Sequence, residues 1–147
     1  MSEKINLLYL CTGNSCRSQM AEGLTRYLKG DLINVYSAGI ETHGLNPNAV
    51  KVMKEVGIDI SNHKSQHIDE FKNIKLDVIV TVCGHAHETC PYFPADCKVI
   101  HVGFNDPPKI AKELKEKGAS EEEQLNAYRE VRNEIQSFVE QLPEVLG

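Results

Sequence analysis

Two apolar runs, INLLYL at residues 5–10 and LDVIVTV at 76–82, constrain the fold of this chain more than any other feature. Each is nearly continuous rather than alternating, the pattern of a strand covered on both faces. NVYSA (34–38) and KVIHV (98–102) carry the same signal more weakly. Helical spacing fills the intervals. Met20, Leu24, Tyr27 and Leu28 fall on one helical face and stop at Gly30. Asn46-Pro47 opens a second helix, which carries Val50, Met53 and Val56 and closes at Gly57. In the last helix Ser120 and Glu123 form a capping box, and SEEEQ supplies an acidic first turn. Leu125, Tyr128, Val131, Ile135, Phe138 and Leu142 give that helix one apolar stripe for the core. Strands alternating with helices predict an α/β fold, a parallel sheet flanked by helices on both faces. The 147 residues suit a single domain, 1–147, without repeat or linker.

In such a sheet, ligands bind outside the carboxyl ends of the strands. Three segments meet that edge. Cys11 starts the loop after INLLYL, Cys83 directly follows DVIVTV, and Asp106 comes a few residues after KVIHV. The composition narrows what could bind there. A net charge of −5, without a basic block, argues against nucleic acid, so an anionic ligand needs a local cradle. No stretch is apolar for long enough to span a membrane, and MSEKINLLYL is too short for a secretory signal. A cytoplasmic location is expected. Thiols stay reduced in that compartment, so the five cysteines (Cys11, Cys16, Cys83, Cys90 and Cys97) point to chemistry rather than staples.

CTGNSCRS, residues 11–18, has the form of that cradle. The loop from Thr12 through Gly13, Asn14, Ser15 and Cys16 can curl so that successive N–H groups aim at one anion. Gly13 admits a backbone angle that other residues resist. The following helix adds its N-terminal partial positive charge, and Arg17 adds a planar fork of donors. The same field favours thiolate at Cys11 and makes it nucleophilic, with the Ser18 hydroxyl placed to donate to it. A tetrahedral oxyanion held against a thiolate is the natural ligand.

CTGNSCRSQMAEG resembles the phosphate-binding loop of the low-molecular-weight protein tyrosine phosphatase fold, and more narrowly that of its thioredoxin-coupled arsenate reductases. The likeness continues through VYSAGIETHGLNP, IDISNHKS, VTVC…C and GFNDPP. It implies a four-stranded parallel sheet with flanking helices, in agreement with the pattern above. Two activities share this loop. A phosphatase needs Cys11, Arg17 and a general acid, for which Asp106 before Pro107 is the candidate. A reductase must also move two electrons, so a second thiol has to attack the Cys11 sulfur and leave a disulfide.

VTVCGHAHETCPYF supplies Cys83 for that attack and Cys90 to resolve the disulfide. In the family this spacing marks recycling by thioredoxin. A small oxyanion also fits the absence of Trp, and Pro108 stands where related phosphatases carry tyrosines. The expectation is a reductase of arsenate, with phosphate or sulfate as competing anions, thioredoxin as reductant and a monomer as the working unit. The alternative is a phosphatase of the same fold. No tightly bound cofactor is expected. Cys83, His85, His87 and Cys90 could suggest zinc, but one short loop would have to wrap the ion alone, so no metal is assigned. Some family members bind potassium beside the loop through positions matching Asn14, Glu22 and Ser37; their carboxylate falls here on Gln66, next to Lys64. Cys16 either packs or, by the same resemblance, pairs reversibly with Cys11. Cys97, His63 and His101 read as scaffold.

Overall fold

The computed structural model describes residues 4–11, 16–39, 42, 44–71, 73–82 and 98–146. Strand β1 (Ile5–Cys11) leads to helix α1 (Arg17–Lys29) and strand β2 (Ile33–Gly39). Helix α2 (Pro47–Glu55), a 3-10 helix at Ile68–Phe71 and strand β3 (Val78–Thr81) follow. Strand β4 (Lys98–His101) then precedes helices α3 (Pro107–Glu116) and α4 (Glu121–Glu140). The four strands are all parallel and lie in the order β2-β1-β3-β4.

The near-continuous apolar run of β1 is explained by its central place. Leu7, Leu8, Tyr9 and Leu10 are all fully buried, because successive side chains enter opposite faces. Leu7, Tyr9 and Cys11 join Ile33, Val35, Val78 and Val80 in a cluster with residues of all four α-helices. Leu8 and Leu10 join Ala38 and Ile79 in a second cluster, covered by Ile68 and Phe71 of the 3-10 helix. Inside the first cluster the Tyr9 hydroxyl meets Thr25 Oγ1 at 2.6 Å, so β1 and α1, which flank the candidate cradle, share a buried polar link.

The helix ends follow their chemistry. Asn46 Oδ1 accepts the N–H groups of Asn48 and Ala49, with Pro47 as the first helical residue of α2. Ser120 caps α4 by accepting from the Glu123 N–H at 3.2 Å. Tyr128, Val131 and Ile135 are buried as the stripe requires, and Leu142 is buried just beyond the end of the helix. At the other end of α2, Glu55 accepts from both Arg129 and Arg132, and Arg132 Nη1 donates to Val52 O at 2.8 Å.

Helix α3 is an addition to the sequence reading. Asp106 is its N-cap residue, and Pro107 and Pro108 fill the first helical positions, where a missing N–H costs nothing.

Candidate active site

Parallel register fixes which residues share the carboxyl edge. Cys11, the last residue of β1, lies opposite Gly39 of β2. On its other side Val82, just past β3, donates its N–H to Leu10 O at 3.0 Å. Val102, just past β4, donates to Thr81 O at 2.8 Å. The chain leaves the sheet at all four points on one rim.

Arg17 draws this rim together. Its side chain is buried, and Nη1 donates to Phe104 O at 3.1 Å and reaches Val82 O at 3.4 Å. One nitrogen of the guanidinium therefore anchors to the segments after β3 and β4, while its backbone begins α1. Both carbonyl oxygens accept from the guanidinium and help fix its position at the edge.

Cys11 and Cys16 are both buried, at 5% exposure each. Burial pushes the Cys16 thiol far above its ordinary value; Arg17 acts against that shift and the Asp106 charge adds to it. Cys16 belongs to the same buried cluster as Cys11 and Met20. Ser18 is fully buried in the first turn of α1. Asp106 stands close enough for its charge to be felt at Cys16, and its carboxylate does not cap α3. It lines a cleft of about 240 Å³ with Asn105, Lys109, Ile110 and Glu113. An N-cap aspartate normally spends its oxygens on the helix end. This one makes no such bond.

Thr12, Gly13, Asn14 and Ser15 of the cradle lie outside the described residues, as do Cys83, Cys90 and Cys97 with His85, His87, Tyr92 and Phe93. Of the sequence-derived site residues, Cys11, Cys16, Arg17, Ser18 and Asp106 thus fall within the description, at the rim and the turn leading from it. Among the described residues, no cluster of His, Cys, Asp or Glu could hold a metal ion. The two scaffold histidines are hydrogen-bonded: His101 Nδ1 with Thr81 Oγ1 at 2.7 Å, and His63 Nδ1 with Gln19 Oε1 at 3.0 Å.

Of the positions that match a potassium site in some family members, Asn14 lies outside the described residues, and Glu22 and Ser37 are already engaged with each other and with Arg26. The Ser37 hydroxyl donates to Glu22 Oε1, and Arg26 Nη2 pairs with Glu22 Oε2 at 2.8 Å. Gln66 brings a neutral amide, and its backbone oxygen is taken by the Gly39 N–H at 2.8 Å. A carboxylate already matched by a guanidinium has little charge to offer a monovalent cation. Sequence reading missed Arg26, although Glu22 and Arg26 stand at i and i+4 in the favourable order. It also missed the backbone oxygens of Val82 and Phe104 as anchors of Arg17, which no side-chain pattern could reveal.

The comparisons with known proteins agree with this geometry. The family model described as low molecular weight phosphotyrosine protein phosphatase matches residues 6–147. The chain belongs to this family. Within it, the chain is similar to an arsenate reductase of Halalkalibacterium halodurans, with 50% identity over 135 residues, 92% of this chain and 91% of that protein. An arsenate reductase of Bacillus subtilis is 49% identical over 144 residues, 98% of both chains. Among solved structures, an arsenate reductase in the phosphate binding state superposes with a TM-score of 0.75 at 32% identity, covering 97% of this chain and 99% of the other.

Proposed function

We propose that this chain is a single-domain arsenate reductase, recycled by thioredoxin. The observation that carries the reading is the buried Arg17 guanidinium, held at the strand edge where Cys11 ends β1. Near half-identity to arsenate reductases over almost the whole chain then selects the reaction. In this reading Thr12 to Arg17 bind the oxyanion through backbone N–H groups and the guanidinium. The Cys11 thiolate, steadied by Ser18, attacks arsenic(V). Asp106 protonates the oxygen that leaves as water, and a Cys11–S–As bond forms.

Cys83 then attacks the Cys11 sulfur. The S–As bond breaks, its electron pair stays on arsenic, and arsenite departs as arsenic(III), leaving a Cys11–Cys83 disulfide. Cys90 attacks Cys83, which frees Cys11 and moves the disulfide to Cys83–Cys90. The dithiol of thioredoxin reduces that disulfide and is itself oxidised, which balances the two electrons given to arsenic.

The test is NADPH oxidation with arsenate, thioredoxin and thioredoxin reductase, run beside a glutaredoxin–glutathione system. Turnover with thioredoxin alone is expected. Release of phosphate from an aryl phosphate without arsenate-dependent oxidation would instead identify a phosphatase. Cys83→Ser separates the two, since it stops arsenate reduction and spares any phosphatase turnover. Cys90→Ser completes one turnover and accumulates the Cys11–Cys83 disulfide, which acid quench and peptide mapping detect.

A further inference from the structure

Beyond the first turn of α1 lies a polar network that the proposed chemistry does not use. Glu22 is buried on α1, with its side chain only 10% exposed, and an unmatched carboxylate there would be costly. Its Oε2 pairs with Arg26 Nη2 at 2.8 Å, and its Oε1 accepts from Ser37 on β2. Arg26 reaches further. Nη2 donates to Val35 O at 3.2 Å, and Nη1 lies 3.2 Å from His63 Nε2.

Arginine can only donate, so His63 Nε2 must accept, and the ring proton sits on Nδ1. That proton is donated to Gln19 Oε1 at 3.0 Å, and Gln19 Nε2 donates in turn to Lys64 O at 3.0 Å. The guanidinium at one end and the Lys64 carbonyl at the other agree on every direction in the chain. It ties α1 to β2 and to the segment at 63–64, immediately below the first turn that carries Arg17 and Ser18.

We propose that Arg26 is the resident cation of this network: it fills the role that a bound monovalent cation would have on Glu22 and Ser37, and so holds the cradle-bearing helix without potassium. Arg26 is a positioning residue here. It acts on the anion site through α1 and does not touch the substrate. The network also explains why the fourth position can be the neutral Gln66, since no ion needs its charge.

The inference rests on the reading of residues 11–17 as an oxyanion cradle, and the experiment keeps the two apart. Phosphate binding is measured by calorimetry, and thermal unfolding is followed, at fixed ionic strength with potassium chloride exchanged for choline chloride. The wild-type protein is expected to give the same phosphate affinity and the same melting temperature in both salts. Arg26→Ala should weaken phosphate binding about tenfold in choline chloride, equivalent to about 1.4 kcal/mol, and regain most of it in potassium chloride. Arg26→Lys keeps a charge beside Glu22 and should stay indifferent to the salt.

A purely structural role for Arg26 predicts no cation-specific rescue. The proposal is overturned if the wild-type affinity or melting temperature rises in potassium, or if Arg26→Ala behaves as wild type in choline. If Arg26→Ala does not fold, the wild-type salt exchange and Arg26→Lys still decide. Absence of phosphate binding by the wild-type protein in either salt would refute the cradle instead, and the melting temperatures would continue to test Arg26.

Discussion

Arg17 has two tasks that a single substitution can separate. Its Nη1 is spent on Phe104 O at 3.1 Å and, more loosely, on Val82 O at 3.4 Å. The second contact is long, so these two carbonyl contacts together count as at least one charge-assisted bond, about 1.5–3 kcal/mol. At about 2–4 °C per kcal/mol for a chain of this size, Arg17→Ala should melt about 3–12 °C below wild type. In the proposed reading, the functional part is a bidentate grip on the oxyanion. Two bonds of about 1.5–3 kcal/mol each amount to about 3–6 kcal/mol, so kcat/KM should fall about a hundredfold to ten-thousandfold. Arg17→Lys keeps the charge and loses the fork, and should forfeit one bond, about tenfold to a hundredfold. The assays are thioredoxin-linked NADPH oxidation, phosphate calorimetry and thermal unfolding. If Arg17→Ala melts early but binds phosphate within about threefold of wild type, the guanidinium is a strut alone and the cradle argument fails.

Asp106→Asn should lower kcat by about 10²–10⁴-fold, the usual contribution of a general acid. The melting temperature should hardly move, because the carboxylate does not cap α3. Tyr9→Phe strands the Thr25 hydroxyl, buried and 2.6 Å from its partner, and should cost about 1–3 kcal/mol in denaturant titration. The double variant Tyr9→Phe with Thr25→Val should recover most of that loss, since both polar groups are gone. Glu55 is held below its ordinary value chiefly by the hydrogen bond from Arg129, with Arg132 assisting. Its pairing therefore stabilises the fold above the unfolded carboxyl pKa and fades as pH falls through the lower folded value. Glu55→Gln should melt earlier than wild type near neutral pH, with the gap closing in acid.

The sheet was legible because its signals are local. Central strands are buried on both faces, so INLLYL and LDVIVTV could hardly be anything else, and Asn46-Pro47 and Ser120…Glu123 are caps whose chemistry lies within four residues. Helix α3 carried the same kind of signal in Asp106-Pro107-Pro108. The same aspartate reads equally well as an acid at the sheet edge, so its sequence signal is ambiguous. Asp106 takes the N-cap position without a side-chain bond to the helix end, and it lines the cleft.

Long-range polar contacts were the part that sequence spacing could not supply. Arg17 is anchored by backbone oxygens 65 and 87 residues away, and the peptide carbonyl that accepts a side chain leaves no residue-type signature. Arg26 could have been found, since Glu22 four positions earlier is its partner, but surface i,i+4 pairs are common and worth little. What separates this pair from a surface pair is the burial of Glu22, and burial depends on Ser37 and His63 arriving from other elements. Helical spacing suggests that two charges can meet. Only the packing of β2 and the segment at 63–64 over them determines whether the meeting is incidental or fixes the floor of a binding site.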